Sequence, residues 1–416
     1  MRISRIAVGA AVAALALAAC GSSGGGSSSG PVTLNVLMPV SPDTNVMKTA
    51  IPAFEKQTGI KVKLTQVPQD QLAQKVQTQV TTQAGNYDVA GFQYELMPGY
   101  AKDLLPLDSY ITAADKKDIT PTGIRAGTYH GHLYGLLYVS TMQVLFYRKD
   151  VLAAHHLAVP TTWANYLSDA KALTSSNPKL WGTIVTAANQ EEPVGMYLNY
   201  LYQAGGDVLS PGNKVTINDK AAVTALQFMV NLVQKYKVAP PGAADYTTLD
   251  TTNLFQAGQL ALAPNWAYQA GISGASTSKY KNDLGIAPLP CDVKCGASLG
   301  GWIFSAFKTT AHAADAVKFI KFMTDTQQQV LMAVKDGSQP TRYSAINNPQ
   351  VKDVPIFSVM SEQMKYAVSR TKYPDYPTIE DALATAMSAA VSGQESAQAA
   401  LNTAAQQIQQ GLQSSN

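Results

Sequence analysis

Charged residues are scarce in this chain. Only 14% of its 416 residues are charged, and the formal net charge is +3. The sequence has no run of basic residues and no alternation of basic with aromatic residues. A nucleic-acid partner is therefore not expected.

Potential metal ligands and cofactor motifs are also few, with 5 histidines and 3 cysteines in the whole chain. The segment His130-Gly131-His132 has no third ligand nearby and is typical of a surface turn, so no metal site is predicted. Neither a P-loop nor a dinucleotide-binding fingerprint occurs, so no cofactor is predicted either. What the chain does contain is 46% hydrophobic residues, which predicts large cores and, at this length, two domains.

The first thirty residues differ from the rest. Arg2 and Arg5 precede an apolar stretch, Ile6–Ala19, which is too short to span a bilayer comfortably. It ends in Leu-Ala-Ala-Cys and so resembles a bacterial lipobox, which implies cleavage before Cys20 and lipidation of its thiol. We interpret residues 1–19 as a signal peptide and 20–30 as a Gly/Ser tether. The expected location is the outer face of the cytoplasmic membrane.

Hydrophobic periodicity next predicts a β-α-β-α-β order. Strands are expected at Val32–Met38, at Val62–Val67 and from Asp88, with amphipathic helices between them. This order is typical of an α/β fold with a parallel sheet covered by helices on both faces. Ligands of such sheets bind beyond the carboxyl ends of the strands. The candidate ligand-binding residues there are Asp43, Asn45, Tyr94 and Glu95.

The middle of the chain repeats this logic. We predict a strand at Trp181–Val185 with a polar exit loop, Ala187–Gly195, and a helix from Tyr197. Glu191 and Glu192 in that loop are expected to face the cleft, with Tyr197 as a possible partner. The Ala- and Gln-rich tail is predicted to form two helices broken near Gly393.

Two tryptophans lie at loop-forming residues rather than within predicted strands. Trp266 follows Pro264 and Asn265 and is placed in the loop after a buried strand, whereas Trp302 follows Gly300-Gly301. Without Cβ atoms, another molecule can approach the backbone at these glycines. Both indoles are predicted to line a ligand cleft.

Cys291 and Cys295 lie between the two tryptophans. In an exported protein, this spacing indicates a small disulfide loop that shapes a turn more than it stabilises the fold.

The same region resembles the bacterial extracellular solute-binding proteins (family 1) that serve sugar-importing ABC transporters and are similar to maltose- and trehalose-binding proteins. The resemblance is carried by three ordered motifs: NLFQAGQLALAPNWAYQ, GIAPLP and SLGGW. The segments VLFYRKD, PTTW and DGSQPTR also resemble the family's motifs. In one departure, Ser140-Thr141-Met142-Gln143 stands where many sugar binders carry Asn, so a polar contact from Thr141 is expected.

The resemblance implies a type II periplasmic-binding-protein fold, in which each lobe is a mostly parallel sheet flanked by helices and ligand binds between the lobes. It implies an N-terminal lobe of residues 31–142 plus 298–343 and a C-terminal lobe of 143–297 plus 344–416. By the same resemblance, Gly301 offers its backbone N–H to a ligand hydroxyl and Arg342 binds vicinal hydroxyls.

The implied function is that of a lipid-anchored, monomeric receptor that binds a sugar or polyol and delivers it to the permease subunits of an ABC importer. Its only contact with the membrane is through the lipid. Two alternatives stay open at this point: a surface-anchored carbohydrate-active enzyme (glycoside hydrolase or lyase), and a ligand-sensing subunit without transport. A glycerophosphodiester ligand ranks below a neutral sugar, because Arg342 alone supplies positive charge to the predicted cleft.

Overall fold

The computed structural model describes residues 31–176, 180–370 and 373–414. The predicted signal peptide (1–19), Cys20 and the predicted tether (20–30) lie outside the described residues. Within the described ranges, no helix combines the length and the apolar character needed to cross a membrane.

Twelve strands are described, and eight of them form one sheet. Their bounds are β1 Thr33–Pro39, β2 Lys61–Val67, β3 Val89–Gln93, β4 Thr128–Tyr129, β5 His132–Leu133, β6 Leu136–Arg148, β7 Leu209–Ser210, β8 Lys214–Val215, β9 Leu262–Trp266, β10 Leu284–Ala287, β11 Ala297–Ala306 and β12 Ala367–Ser369. The pairs β4–β5 and β7–β8 are separate short hairpins.

Helices cover the sheet. In the first half of the chain they are α1 Pro42–Met47, α2 Ile51–Thr58, α3 Gln69–Thr82, α4 Met97–Tyr100, α5 Ala113–Asp118, α6 Pro121–Gly127, α7 Lys149–Ala154, α8 Trp163–Ser176 and α9 Glu191–Gln203. The remainder are α10 Lys220–Val230, α11 Thr248–Gln256, α12 Tyr268–Ser273, α13 Ala313–Met323, α14 Thr326–Asp336, α15 Tyr343–Ile346, α16 Pro349–Lys352, α17 Ile356–Met364, α18 Tyr376–Ser392 and α19 Ala397–Ser414.

The β-α-β-α-β order predicted at the start of the chain is confirmed. Strand β1 pairs in parallel with β2 along its full length and with β3 on its other side. The carboxyl ends of these strands therefore meet at one edge, where α1 and the residues after β3 begin. The predicted break between the C-terminal helices is also present, because Gly393 ends α18 with a left-handed φ of 83° that suits glycine.

The long strand β6 joins two parts of the sheet. The residues of β6 up to Met142 pair with β11, and those from Gln143 pair with β9. Strand β10 pairs with the last four residues of β6. All these pairings are antiparallel, so the sheet is mixed rather than mostly parallel. The reason is that β6 and β11 both pass between the two parts of the molecule and run in opposite directions.

Two local predictions are wrong. The segment Trp181–Val185 forms no ladder strand and has only an isolated bridge, from Trp181 to Leu260. The predicted polar loop Ala187–Gly195 ends at Gln190, because α9 already begins at Glu191. Acidic side chains in the first turn favour a helix start at this point, since they lie at the positive end of the helix dipole.

Aromatic side chains build the core beside β11. Phe319 of α13 makes edge contacts with Phe54 and Phe304, with ring centroids 5.3 and 5.5 Å apart. All three side chains are fully buried. This cluster fixes α13 on the sheet and so supports the strand that carries Trp302.

We predict that Phe319→Ala lowers the free energy of unfolding by about 3–5 kcal/mol, the usual result of a large cavity in a packed core. Urea denaturation followed by far-UV circular dichroism measures this change. Phe322→Ala is the matched control, because Phe322 is half-buried and packs at the margin of the same core, with an edge contact to Phe54. Equal losses in the two variants would contradict the role assigned to Phe319.

Candidate ligand-binding site

A cavity lies where the two parts of the sheet meet and leaves about 510 Å³ of empty space, part of it open to solvent. Residues from both of the sheet parts that β6 joins line the cavity, which combines two indoles with many polar groups. The lining residues are Ser41, Pro42, Asp43, Gln69, Gln93, Glu95, Thr141, Glu191, Glu192, Trp266, Tyr268, Gly300, Gly301, Trp302 and Arg370.

The start of α1 supplies one wall. Ser41 caps the helix, because its hydroxyl oxygen accepts a hydrogen bond from the backbone N–H of Thr44 (3.1 Å), and Pro42 occupies the first turn. This cap turns Asp43 toward the cavity. The Asp43 carboxyl is buried and lies against the Asp336 carboxyl, which accepts a hydrogen bond from Ser338. Burial raises the pKa of both carboxyls, and for Asp336 the charge of Asp43 raises it further.

A buried polar network positions Trp266. The Asn265 side chain accepts a hydrogen bond from the Trp266 backbone N–H (2.8 Å) and donates to the carbonyl oxygen of Thr248 (3.0 Å). Trp266 is the last residue of β9, not part of the following loop as predicted. The indole is nevertheless at the cavity, because β9 ends there and Tyr268 continues the wall.

Trp302 lies within β11, not outside a strand as predicted, because Gly300 and Gly301 continue the strand instead of ending it. It lies opposite Gln93 at the end of β3 and opposite Val139 of β6. Its side chain therefore reaches the cavity from the middle of the sheet. The preceding Gly300 and Gly301 also line the cavity, and Gly301 has in addition a packing reason to lack a side chain. A Cβ at Gly301 would lie 2.8 Å from both Leu137 Cδ2 and the Val139 carbonyl oxygen, so packing within the protein already explains the glycine.

Arg370 is the residue that the sequence prediction missed and that most affects the charge of the site. Its guanidinium is almost fully buried and contacts Glu95 (3.3 Å), Glu191 (3.2 Å) and Glu380 (3.5 Å). It also donates a hydrogen bond to Ser298 Oγ (3.0 Å). No motif marks Arg370, because its partners Glu95 and Glu191 come from distant parts of the chain.

Glu191 and Glu192 occupy the first turn of α9. Glu191 accepts a hydrogen bond from Gln69 Nε2 (2.8 Å), and Glu192 accepts one from the backbone N–H of Thr248 (3.0 Å). Burial, together with the charges of Glu191, Asp43 and Asp250, raises the pKa of the Glu192 carboxyl to about 8. At neutral pH, this carboxyl therefore carries a proton for most of the time and can donate a hydrogen bond.

The structure brings most of the sequence-predicted residues together. Those that line the cavity are Asp43, Glu95, Thr141, Glu191, Glu192, Trp266, Gly301 and Trp302. The structure places four others elsewhere: Asn45, Tyr94, Tyr197 and Arg342.

Each of these four has a physical reason for its position. Asn45 is exposed on α1. The Tyr94 hydroxyl accepts the Arg370 backbone N–H (3.1 Å) and donates to the Leu299 carbonyl (3.3 Å), so it supports the site from behind. The Tyr197 hydroxyl donates to the carbonyl of Ala222. Arg342 is buried against the Thr324 carbonyl and Asp118, away from the cavity.

Among the residues that the structure describes, no cysteine or histidine lines this cavity. Cys291 and Cys295 are joined in a disulfide beside the start of α8, where Cys291 forms a bridge with Thr162. Within the described ranges, no three His, Cys, Asp or Glu side chains come together in a way that could hold a metal ion.

The segment Gly296–Gly300 has the G-x-S-x-G spacing of serine hydrolases, so its context matters. A hydrolase nucleophile lies on a sharp turn between a strand and a helix. Here Ser298 lies inside β11 and is fully buried, and its backbone N–H donates to Asn199 Oδ1 (2.7 Å). This segment is therefore not a nucleophile elbow.

We predict that Arg370→Met lowers the free energy of unfolding by about 3–5 kcal/mol, because it leaves buried carboxylates without a compensating cation. Chemical denaturation measures the loss. Adding Glu95→Gln to Arg370→Met is expected to restore part of it by removing one of the uncompensated charges. Lys365→Met, which breaks only the exposed pair with Glu362, is the control and should cost about 0–1 kcal/mol. A similarly small loss for Arg370→Met would contradict the buried network.

The raised pKa of Glu192 predicts a dependence of stability on pH. Between the ordinary carboxyl value of 4.5 and about 8, the native protein holds a proton that the unfolded chain has lost, so this group makes stability fall as pH rises through that window. We expect Glu192→Gln to match the wild type in melting temperature near pH 5 and to exceed it near pH 9. Thermal melts across this range measure the difference, with the exposed Glu395→Gln as control. Parallel curves for wild type and Glu192→Gln would show that the Glu192 pKa is not raised.

Known proteins share this architecture. The family model of bacterial extracellular solute-binding proteins matches residues 41–330. A probable ABC transporter-binding protein of Deinococcus radiodurans is 28% identical over 354 residues, which cover 82% of this chain and 84% of the relative.

Among solved structures, maltose-bound MalE3 of T. maritima has 27% identity and a TM-score of 0.86, covering 91% of this chain and 99% of that one. A solute-binding protein of Agrobacterium radiobacter in complex with ribitol has 26% identity and a TM-score of 0.83, covering 91% and 98%. The predicted α/β type II periplasmic-binding-protein fold is confirmed. With a family model matched over more than half of its length, the chain belongs to the bacterial extracellular solute-binding proteins.

Proposed function

We propose that this chain is the receptor of an ABC importer and binds a neutral sugar or sugar alcohol in the cavity described above. The observation that carries the proposal is the composition of that cavity. Indole rings from β9 and β11 lie among carboxyl, amide and hydroxyl groups supplied by both sides of β6. Polyhydroxylated ligands need both features, since their C–H faces stack on aromatic rings and their hydroxyls pair with polar groups.

The charge of the site favours a neutral ligand over a phosphate ester. Four carboxyl residues line the cavity: Asp43, Glu95, Glu191 and Glu192. Among the lining residues that the structure describes, Arg370 is the one basic side chain, and its guanidinium already contacts three carboxylates. A phosphate would therefore find no cation among these lining residues that is not already paired with carboxyl groups. A neutral polyol instead offers hydroxyl donors to the carboxylates.

The names of the similar proteins agree with this class of ligand. The T. maritima relative is bound to maltose, and the Agrobacterium relative is bound to ribitol. One ligand is a disaccharide and the other is a five-carbon sugar alcohol. The similarity to these proteins therefore supports polyhydroxylated ligands in general but does not select one of them.

We place the two lobes close to the predicted boundaries. The change of partners in β6 between Met142 and Gln143 supports the first boundary. Helices α15 and α16 pack on α14, whereas α17 packs on β6 and β10. We therefore extend the N-terminal lobe from residue 343 to Lys352 and begin the last segment of the C-terminal lobe after it.

Closure of the lobes would be driven by contacts made to both of them. The hydrogen bond from Gln69 of α3 to Glu191 of α9 already joins one lobe to the other across the cavity (2.8 Å). Arg370 likewise contacts Glu95 after β3 and Glu191. A ligand that hydrogen-bonds these same residues would add contacts only in the closed form.

Lipidation of Cys20 would hold the receptor, as a monomer, at the outer face of the cytoplasmic membrane. The Gly/Ser tether would let it reach permease subunits that transport the released ligand. The chain is proposed to perform no chemistry on its ligand, in keeping with a family of binding proteins.

We predict saturable quenching of tryptophan fluorescence when the untethered protein is titrated with monosaccharides, disaccharides and alditols such as ribitol and mannitol. Trp266→Ala should weaken binding of the responding ligand at least about tenfold, because it removes the stacking surface. Trp181→Phe is the matched control, since Trp181 does not line the cavity.

The mixtures are also analysed for product. Product formation would overturn the receptor assignment in favour of an enzyme. A response only to phosphorylated compounds would overturn the assignment to neutral ligands.

A further inference from the structure

The outer edge of the Trp266 indole lies against two glycines that are far apart in sequence. A Cβ added at Gly195 of α9 would lie 2.5 Å from Trp266 Cζ2 and 3.1 Å from Cη2. A Cβ added at Gly300 of β11 would lie 2.9 Å from Cζ3 and 3.0 Å from Cη2. The six-membered ring therefore occupies the space that two side chains would otherwise fill.

Both glycines are unfavourable for their own elements. Gly195 lies inside helix α9, where alanine would be the better helix former. Gly300 lies inside β11, where a glycine has no side chain to pack. Each glycine contacts the same indole ring from a different element. The position of that ring therefore explains why helix α9 and strand β11 each keep a residue that is unfavourable for their own stability.

The indole cannot easily move away from these contacts. The Asn265 network fixes its backbone, and Arg370 lies over the ring with its guanidinium carbon 5.6 Å from the ring centroid. Gly195 also admits Arg370, because a Cβ there would lie 3.2 Å from Arg370 Nη2. A methyl group at either glycine would therefore displace the ring, or at Gly195 the guanidinium, from its present position beside the cavity.

We infer that Gly195 and Gly300 are positioning residues of the ligand site, which set the depth and plane of the Trp266 indole and thereby the size of ligand that the cavity accepts. This inference rests on the proposed function for its consequence in binding. Its structural part, the control of ring position, is independent of any ligand.

The first test reads ring position without ligand. The protein is labelled with fluorotryptophan, and the ¹⁹F resonance of Trp266 is assigned with Trp266→Phe. Gly195→Ala and Gly300→Ala are expected to shift this resonance while leaving that of Trp181 unchanged. Gly242→Ala is the control, because the nearest atoms to its Cβ would belong to Tyr246, at 3.3 Å, and neither residue lines the cavity. An unmoved Trp266 resonance in both variants would overturn the inference.

The second test measures binding of the ligand identified in the fluorescence titration and of its larger and smaller analogues. Each glycine variant should weaken binding at least about tenfold, with larger analogues losing more than smaller ones. Equal losses for all sizes would contradict control of ligand size. If the wild type binds nothing in the panel, the proposed function fails, while the ¹⁹F result still decides the structural part.

A double-mutant cycle keeps the test decisive if the single variants fold poorly. Gly195→Ala is compared in the wild-type and Trp266→Phe backgrounds by the midpoint of urea denaturation. The smaller phenyl ring lacks the atoms that the new Cβ would meet. Gly195→Ala should therefore lower the midpoint of denaturation in the wild-type background and change it little in the Trp266→Phe background. The same fall in both backgrounds would show that another contact requires Gly195 and would overturn the inference for it.

Discussion

The buried guanidinium of Arg370 is the constraint on which the arrangement of the cavity depends. It contacts Glu95, which follows β3, as well as Glu191 at the start of α9 and Glu380 within α18. These carboxyl groups come from three separate regions. Burial and the charge of Glu191 raise the pKa of Glu380, and the guanidinium between the three groups opposes that rise and the repulsion among them. Tyr94 in turn holds the backbone of Arg370. The geometry of the cavity thus follows from one charge placed where both halves of the molecule meet.

Other carboxyl groups of the site are also buried but do not contact the Arg370 guanidinium, and their negative charge must be avoided in another way. Burial raises the pKa of Asp43, Asp336 and Glu192. Nearby negative charge raises it further for Asp336, which lies against Asp43, and for Glu192, which lies near Glu191 and Asp43. Protonation then replaces ion pairing as the way to bury a carboxyl. The result is a site that offers both hydrogen-bond donors and acceptors with little net positive charge, which suits neutral hydroxyl-rich ligands better than anions.

Site residues could be predicted from the sequence where a regular feature of the fold determines their position. Asp43 and Glu95 were predicted because strand ends of a parallel sheet meet at one edge, and that rule needs only local periodicity. Thr141 and Gly301 were predicted from a family resemblance and were likewise brought to the cavity. Arg342 was not, because a connector motif does not specify where its side chain turns. In the structure, Arg342 reaches Asp118 instead.

The fold family, the first parallel strands, the pair of C-terminal helices and the two indoles of the cavity can all be predicted from the sequence. These features depend on hydrophobic spacing, on turn residues and on ordered motifs. Three-dimensional packing is needed to identify the partners of Arg370, the shared burial of Asp43 with Asp336 and the contact of Gly195 and Gly300 with Trp266. Most of these contacts join residues on different helices or strands, and such pairs are specified by packing and charge rather than by any local pattern.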